Sequence, residues 1–179
     1  MAPKFSLRLA LPADAPALTV LIGRSVHVLQ AGDYTKVQRN GAIGQVFLVD
    51  HGLIADRSYF VVETSGGRLT GAGGWSNRKA LHGGQVHGDT GERIDPATEA
   101  ARIRAYFVDP DFARQGVGSA ILKACEAAAR AAGFTRATMG ATLTGIPFYA
   151  RHGYLEGERE EAPLPAGGSL TVVHMSRAL

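Results

Sequence analysis

Phe5 to Leu9, FSLRL, changes between apolar and polar at each step and predicts a first strand. The next stretch, LPADAPALTVLIGRSVHVL, takes up helical spacing, with Asp14 and Pro16 suited to a helix start. A second helical segment is predicted between Asp33 and Gly44. SYFVVE (Ser58 to Glu63) and RLTGAGGW (Arg68 to Trp75) flank TSGG, which predicts a hairpin with a tight turn. From Ser76 to Ala100 the chain is polar and glycine-containing without a sustained period. It reads as a long excursion between strands, either functional or a tolerated surface insertion.

RIRAYFV (Arg102 to Val108) alternates and then runs apolar, as a central strand does. From Gly116, GVGSAILKACEAAARAAG predicts a helix. Val117, Ile121, Ala124, Ala128 and Ala131 or Ala132 fall on one face, and Lys123, Glu126 and Arg130 on the other. Gly133 suits the position just past its end. TRATMGATL (Thr135 to Leu143) reads as a strand, TGIPFYARHG as a short helix ending at Gly153, and SLTVVHMSRAL as a final strand. Helices interleaved with strands predict an α/β domain around a mixed sheet, and no repeat or low-complexity linker divides the 179 residues.

Composition narrows the classes. A net charge of +3 and the lack of a basic cluster with interleaved aromatics speak against nucleic acid as a partner. One cysteine, Cys125, excludes an internal disulfide and a cysteine-rich zinc site, which fits a reducing cytoplasm. His82 and His87, five apart, do not define a metal site. No apolar stretch of about 20 residues is present to span a bilayer, and the first residues lack the long apolar core of a signal peptide, so a cytoplasmic protein without membrane partners is expected.

The junction DPDFARQGVG, Asp109 to Gly118, joins the central strand to the helix. A helix start leaves N–H groups without intrahelical partners, and Gly116 and Gly118 permit close backbone approach and positive φ. With Arg114 adding charge and Ser119 a hydroxyl, the junction suits a pyrophosphate. It matches neither G-x-x-x-x-G-K-[ST] nor the full G-x-G-x-x-G pattern, which leaves a different pyrophosphate ligand.

These residues resemble the GNAT superfamily of acyl-CoA-dependent N-acyltransferases. VDPDFARQGVGSAIL is similar to that family's phosphate-binding segment, usually Q/R-x-x-G-x-G/A, and GIPFYARHGY to its second hallmark, a helix carrying FY before a glycine–aromatic pair. Both stand in the family's order with one strand between them, and the likeness covers essentially the whole chain. Two positions depart: Ala113 stands where Gln or Arg is usual, and Thr142 where an asparagine is often seen seven positions before the tyrosine.

The resemblance implies a mostly antiparallel central sheet flanked by helices, with a splay between the two central strands. It implies acetyl-CoA as co-substrate and no metal. The pantetheine arm would lie beside Tyr106, Phe107 and Val108, and the pyrophosphate on Arg114, Gln115, Gly116, Val117, Gly118 and Ser119, with Thr142 at the asparagine's position. Direct attack of an amine on the thioester is expected, helped by a backbone N–H near Val108 and by proximity of the two substrates. Tyr149 matches the tyrosine that protonates the departing thiolate; a packing residue is the alternative.

The central strand carries Arg102 and Arg104 where some relatives place a glutamate base. Glu99 is the first candidate in its stead, with Glu63, His82, His87, Asp89 and Glu92 behind it. Cys125 is expected to be a small core residue, and Trp75 a packing residue or part of the acceptor pocket. Asp89, Glu92, Asp95 and Glu99 favour a cationic amine, so a small-molecule amine, a peptide N-terminus and a lysine stay open. Dimers are frequent in the family, which makes a homodimer one of the expectations. The rival readings are a non-catalytic acyl-CoA-binding sensor and a nucleotide-binding regulator.

Overall fold

The computed structural model describes residues 5–79 and 92–179. β1 (Phe5–Leu9) leads through a short 3-10 turn into α1 (Ala15–Leu29), α2 (Lys36–Ala42) and α3 (His51–Ala55). β2 (Tyr59–Thr64), β3 (Leu69–Ser76) and β4 (Ala101–Val108) follow, then α4 (Val117–Ala131), β5 (Arg136–Thr142), α5 (Ile146–Arg151), β6 (Leu155–Pro163) and β7 (Ser169–Ala178). The seven strands form one sheet in the order β1-β2-β3-β4-β5-β7-β6. Every adjacent pair is antiparallel except β4 with β5, which is parallel.

The apolar periodicity settles which side each element covers. Leu18, Ile22 and Val26 of α1 join Leu53, Tyr59 and Phe107 in one core on one side of the sheet. Ile121, Leu122 and Cys125 of α4 join Ile103, Met139, Val173 and Met175 in a second core on the other. Removing such side chains from water is the main stabilising term. The glycines of β3 let α4 approach: a Cβ on Gly71 would stand 2.5 Å from Val117 Cγ1.

The buried face of α4 only partly matches the one the sequence predicts. Val117, Ile121 and the core residue Cys125 are buried as expected, but Leu122 and Ala129 join them, whereas Ala131 and Ala132 are exposed. Glu126, expected on the polar face, is buried because the Tyr154 hydroxyl donates to it at 3.0 Å and the Arg177 guanidinium lies 3.4 Å away. Two elements stand where no prediction was made. α3 is a five-residue turn capped by Asp50, which accepts from the Leu53 N–H at 3.0 Å. β6 is an edge strand that carries its charges into solvent.

The ends of the excursion are tied together. Arg78 and Arg93 form an isolated antiparallel bridge, the Ile94 N–H bonds the Asn77 carbonyl at 2.8 Å, and both arginines reach the Asp56 carboxylate. Trp75 is half-buried and packs edge-on against Phe134 with ring centroids 6.0 Å apart.

Candidate active site

Only Ala101 and Arg102 of β4 pair with Ala137 and Thr138 of β5; from Ile103 onward the two strands part. A bulge drives them apart. On the β3 side Ala72 faces Phe107 and Gly74 faces Arg104, so Ala105 and Tyr106 together oppose the single Gly73. Ala105 takes φ of +53°, a left-handed conformation costing an L-residue about 1–2 kcal/mol, and the Tyr59 hydroxyl holds its carbonyl at 3.1 Å. Beyond the bulge Tyr106 joins the α4 side and Phe107 the α1 side. The Tyr106 hydroxyl donates to the Gly118 carbonyl, tying the strand to the first turn of α4.

The loop after β4 is anchored by Asp109, which is 3% exposed. Its carboxylate accepts from the Asp111 N–H at 2.9 Å and pairs with Arg24 at 3.2 Å and Arg68 at 3.0 Å. Burial pushes its pKa up, but these partners outweigh burial and hold it below the usual carboxylate range. Arg24 and Arg68 also reach Asp111, so one network clamps α1, the turn between β2 and β3, and the loop.

Arg114 (φ +62°) and Gly116 (φ +85°) then take left-handed conformations that curl the chain into the start of α4. The Ala120 N–H bonds the Gly116 carbonyl at 3.0 Å, which leaves the N–H groups of Val117, Gly118 and Ser119 without helix partners. Those three donors, at the positive end of the helix and beside the exposed Arg114, are the groups an anion such as the expected pyrophosphate would need. Gln115 closes the loop by donating to the Asp111 carbonyl at 2.9 Å, and Val117 is buried. A Cβ on Gly118 would press on the Phe148 ring at 3.2 Å.

The Ser119 hydroxyl is 3.0 Å from His152 Nε2, while His152 Nδ1 is 2.8 Å from the Phe148 carbonyl. A carbonyl only accepts, so Nδ1 carries a hydrogen and donates to Phe148. Ser119 therefore has its hydroxyl engaged with His152 and its backbone N–H left for the loop. His152 was not among the residues singled out from sequence, and only the α4–α5 contact reveals it.

α5 brings Tyr149 to the opened strands. Its ring is 7% exposed and lies 5.9 Å from Tyr106, 5.1 Å from Phe148 and 5.9 Å from Tyr154 between centroids. It packs on Gly145, where a Cβ would sit 3.0 Å from Tyr149 Cε2. Burial pushes the phenol pKa well above its ordinary value. The hydroxyl makes no hydrogen bond to a described residue. Thr142 accepts from the Gly145 N–H at 3.3 Å and so caps the turn that leads into α5. Across the parted strands the Tyr34 hydroxyl donates to the Thr171 carbonyl at 2.6 Å and accepts from the Leu143 N–H at 2.9 Å. No sequence pattern marks Tyr34.

The candidate bases are scattered. Glu99 lies 3.5 Å from Arg102 at the start of β4, roughly 20 Å of strand before Tyr106, and is not brought together with Tyr149. Glu63 pairs with Arg8 at 2.9 Å and Glu92 with Lys79. His82, His87 and Asp89 lie outside the described residues. Arg104 is buried against Asp50 at 2.6 Å. Cys125 is buried and its thiol pKa is pushed up by burial, which keeps it unreactive. Among the described residues no group of three or more His, Cys, Asp or Glu side chains is placed to hold a metal ion, and no helix is long and apolar enough to cross a membrane.

A mixed seven-stranded sheet opened between its two parallel strands, with a glycine-turn helix start at the opening, defines an acyltransferase-type α/β fold. The chain belongs to the acetyltransferase (GNAT) domain family, whose model matches residues 55–156. Solved structures agree on the fold. A GCN5-related N-acetyltransferase from Rhodopseudomonas palustris is 22% identical with a TM-score of 0.74, covering 100% of this chain and 98% of that one. PaiA N-acetyltransferase from Thermoplasma acidophilum, solved in complex with coenzyme A, is 14% identical with a TM-score of 0.68, covering 99% and 100%. YncA, a putative acetyltransferase from Salmonella typhimurium solved with acetyl-CoA, is 16% identical with a TM-score of 0.65, covering 99% and 95%. No curated protein matches the sequence.

Proposed function

We propose that the chain transfers an acetyl group from acetyl-CoA to a primary amine of a small molecule or peptide by direct attack on the thioester. The observation that carries this reading is the parting of β4 and β5 directly beside Tyr149, with the free N–H groups of Val117, Gly118 and Ser119 at the same end of β4. The pyrophosphate takes those N–H groups and Arg114, and the pantetheine arm lies along Tyr106, Phe107 and Val108. A backbone N–H near Val108 polarises the thioester carbonyl.

Tyr149 is the acid. Burial keeps its phenol protonated, so it retains a proton to give to the thiolate leaving group. Glu99 is held by Arg102 at the far end of the strand. We therefore assign the amine's proton to water, not to Glu99, and attack proceeds from the fraction of acceptor that is already neutral.

The test is release of free CoA thiol from acetyl-CoA against a panel of amines, with CoA binding measured alongside. Tyr149→Phe is expected to lower kcat about 10²-fold with CoA affinity unchanged, and Glu99→Gln to keep kcat within about twofold. Unchanged turnover in Tyr149→Phe removes the acid role. Tight CoA binding without release for any amine favours the sensor reading, and absence of CoA binding ends the enzyme reading.

A further inference from the structure

A cavity of about 420 Å³ opens at the start of β4, away from α4 and α5. Arg102, Thr138, Ser176 and Leu155 are successive register partners across β4, β5, β7 and β6, so their side chains share one face of the sheet. Arg136, two residues before Thr138, falls on that same face, and all five residues line the cavity.

Arg102 is the unusual member. Its side chain is 17% exposed and its Nε is buried without a hydrogen-bond partner. The carboxylate it meets is Glu99, at 3.5 Å and itself 36% exposed. Burial pulls the guanidinium pKa down, and Glu99 only partly opposes this. Arg104, two residues on, has a buried carboxylate at 2.6 Å. A desolvated cation with its Nε unanswered is costly, and a bound anion accounts for its persistence.

The neighbours complete the chemistry. One Arg136 nitrogen donates to the Thr98 carbonyl at 2.7 Å, which steadies the side chain and leaves its other donors for the cavity. Ser176 adds an exposed hydroxyl, while Thr138 has donated its proton to the Met175 carbonyl at 3.1 Å. Two guanidinium forks and a hydroxyl suit a carboxylate or a phosphate.

Arg102 and Thr138 are also the last paired residues before β4 and β5 separate. The bulge at Ala105 is three residues further, about 10 Å along the strand. An acceptor anchored by an anion in the cavity can therefore extend toward the opened strands with its amine leading.

We propose that this cavity is an oxyanion subsite in which Arg102 and Arg136 hold a carboxylate or phosphate carried by the amine acceptor; the word acceptor rests on the acetyltransferase reading above. This reverses the cationic acceptor expected from sequence. Of the acidic residues behind that expectation, Glu92 is paired with Lys79, Asp95 caps the Ala97 N–H at 2.9 Å and Glu99 faces Arg102, while Asp89 lies outside the described residues.

Calorimetric titration of the full chain with inorganic phosphate and with succinate tests the subsite directly, in the wild type, Arg102→Met and Arg136→Met. Saturable binding of at least one anion is expected, weakened about tenfold or more in each variant, with CoA affinity unchanged as the sign of an intact fold. Arg136 is exposed, so its variant stays informative if Arg102→Met folds poorly. No saturable binding, or binding that Arg136→Met and a folded Arg102→Met both keep, overturns the subsite.

Hexylamine, ε-aminohexanoate and aminohexyl phosphate, which share one spacer, are then compared as acceptors. A charged member is expected to exceed hexylamine in kcat/KM by about tenfold or more, the better of the two naming the anion, and Arg102→Met to erase the difference. Equal kcat/KM for all three, with CoA bound, overturns the acceptor assignment alone. Failure to bind CoA overturns the enzyme reading alone, and the anion titration then stands by itself.

Discussion

Tyr149 and Gly73 show how much a single position carries. With the phenol pKa raised by burial, the proposed mechanism keeps Tyr149 protonated over the range in which an alkylamine acceptor would lose its proton. kcat/KM is therefore expected to rise with pH and show no downturn below about pH 10, measured as initial rates across buffers; a fall near neutral pH would remove Tyr149 from the acid role. Gly73 lies under the Tyr106 ring, where a Cβ would stand 2.3 Å from Cδ2. Gly73→Ala has to displace that ring and its bond to Gly118, so a loss of about 1–3 kcal/mol in denaturant stability and weaker CoA binding are expected. Tyr149 was legible as a candidate acid through the family resemblance, in which FY precedes a glycine–aromatic pair. Gly73 was not, because GAGG says that side chains are absent and does not say which neighbour needs the room.

Among the elements, legibility followed the hydrophobic pattern. The strands and longer helices with a clear period lie where they were predicted, within one or two residues at most ends. β6, LEGEREEAP, is largely exposed, so nothing in it alternates. α3 is too short for periodicity and depends on the Asp50 cap. Glu126 misled the assignment of the α4 faces because a carboxylate is ordinarily read as solvated, and its partners Tyr154 and Arg177 come from later elements. Asp50 does two jobs, capping α3 and neutralising Arg104 of β4. Asp50→Asn takes the countercharge away from the buried Arg104 guanidinium, so a loss of about 3–5 kcal/mol is expected in chemical denaturation. Replacing the pair together with Leu and Met is expected to recover most of it.

Across the whole molecule, the family resemblance told of the opening between the central strands, which no local period encodes. It could not supply the bulge at Ala105, the Ser119–His152 contact or the arginine-lined cavity, since each depends on side chains meeting across elements. One global property is set by the tyrosines. All five, Tyr34, Tyr59, Tyr106, Tyr149 and Tyr154, have raised pKa values, with burial the largest cause in each. Their unfolded values lie near 10, so the stabilisation is fully present below that pH and is lost as pH rises through the folded values. Each contributes up to about 1.4 kcal/mol per pH unit in that window. A steep fall in Tm above about pH 10 is the expected outcome of a thermal melt series, and a flat Tm to pH 11.5 would contradict it.

The two ladder pairs between β4 and β5 make the sheet, in mechanical terms, two leaves stitched at one end. β1 to β4 form one leaf and β5, β7 and β6 the other, and beyond Arg102 and Thr138 no ladder pair among the described residues joins them. A molecule laid along the gap acts as the missing thread. Whatever fills it raises the cohesion of the whole protein as well as its own occupancy, because ligand affinity for the folded state adds to the work of pulling the leaves apart.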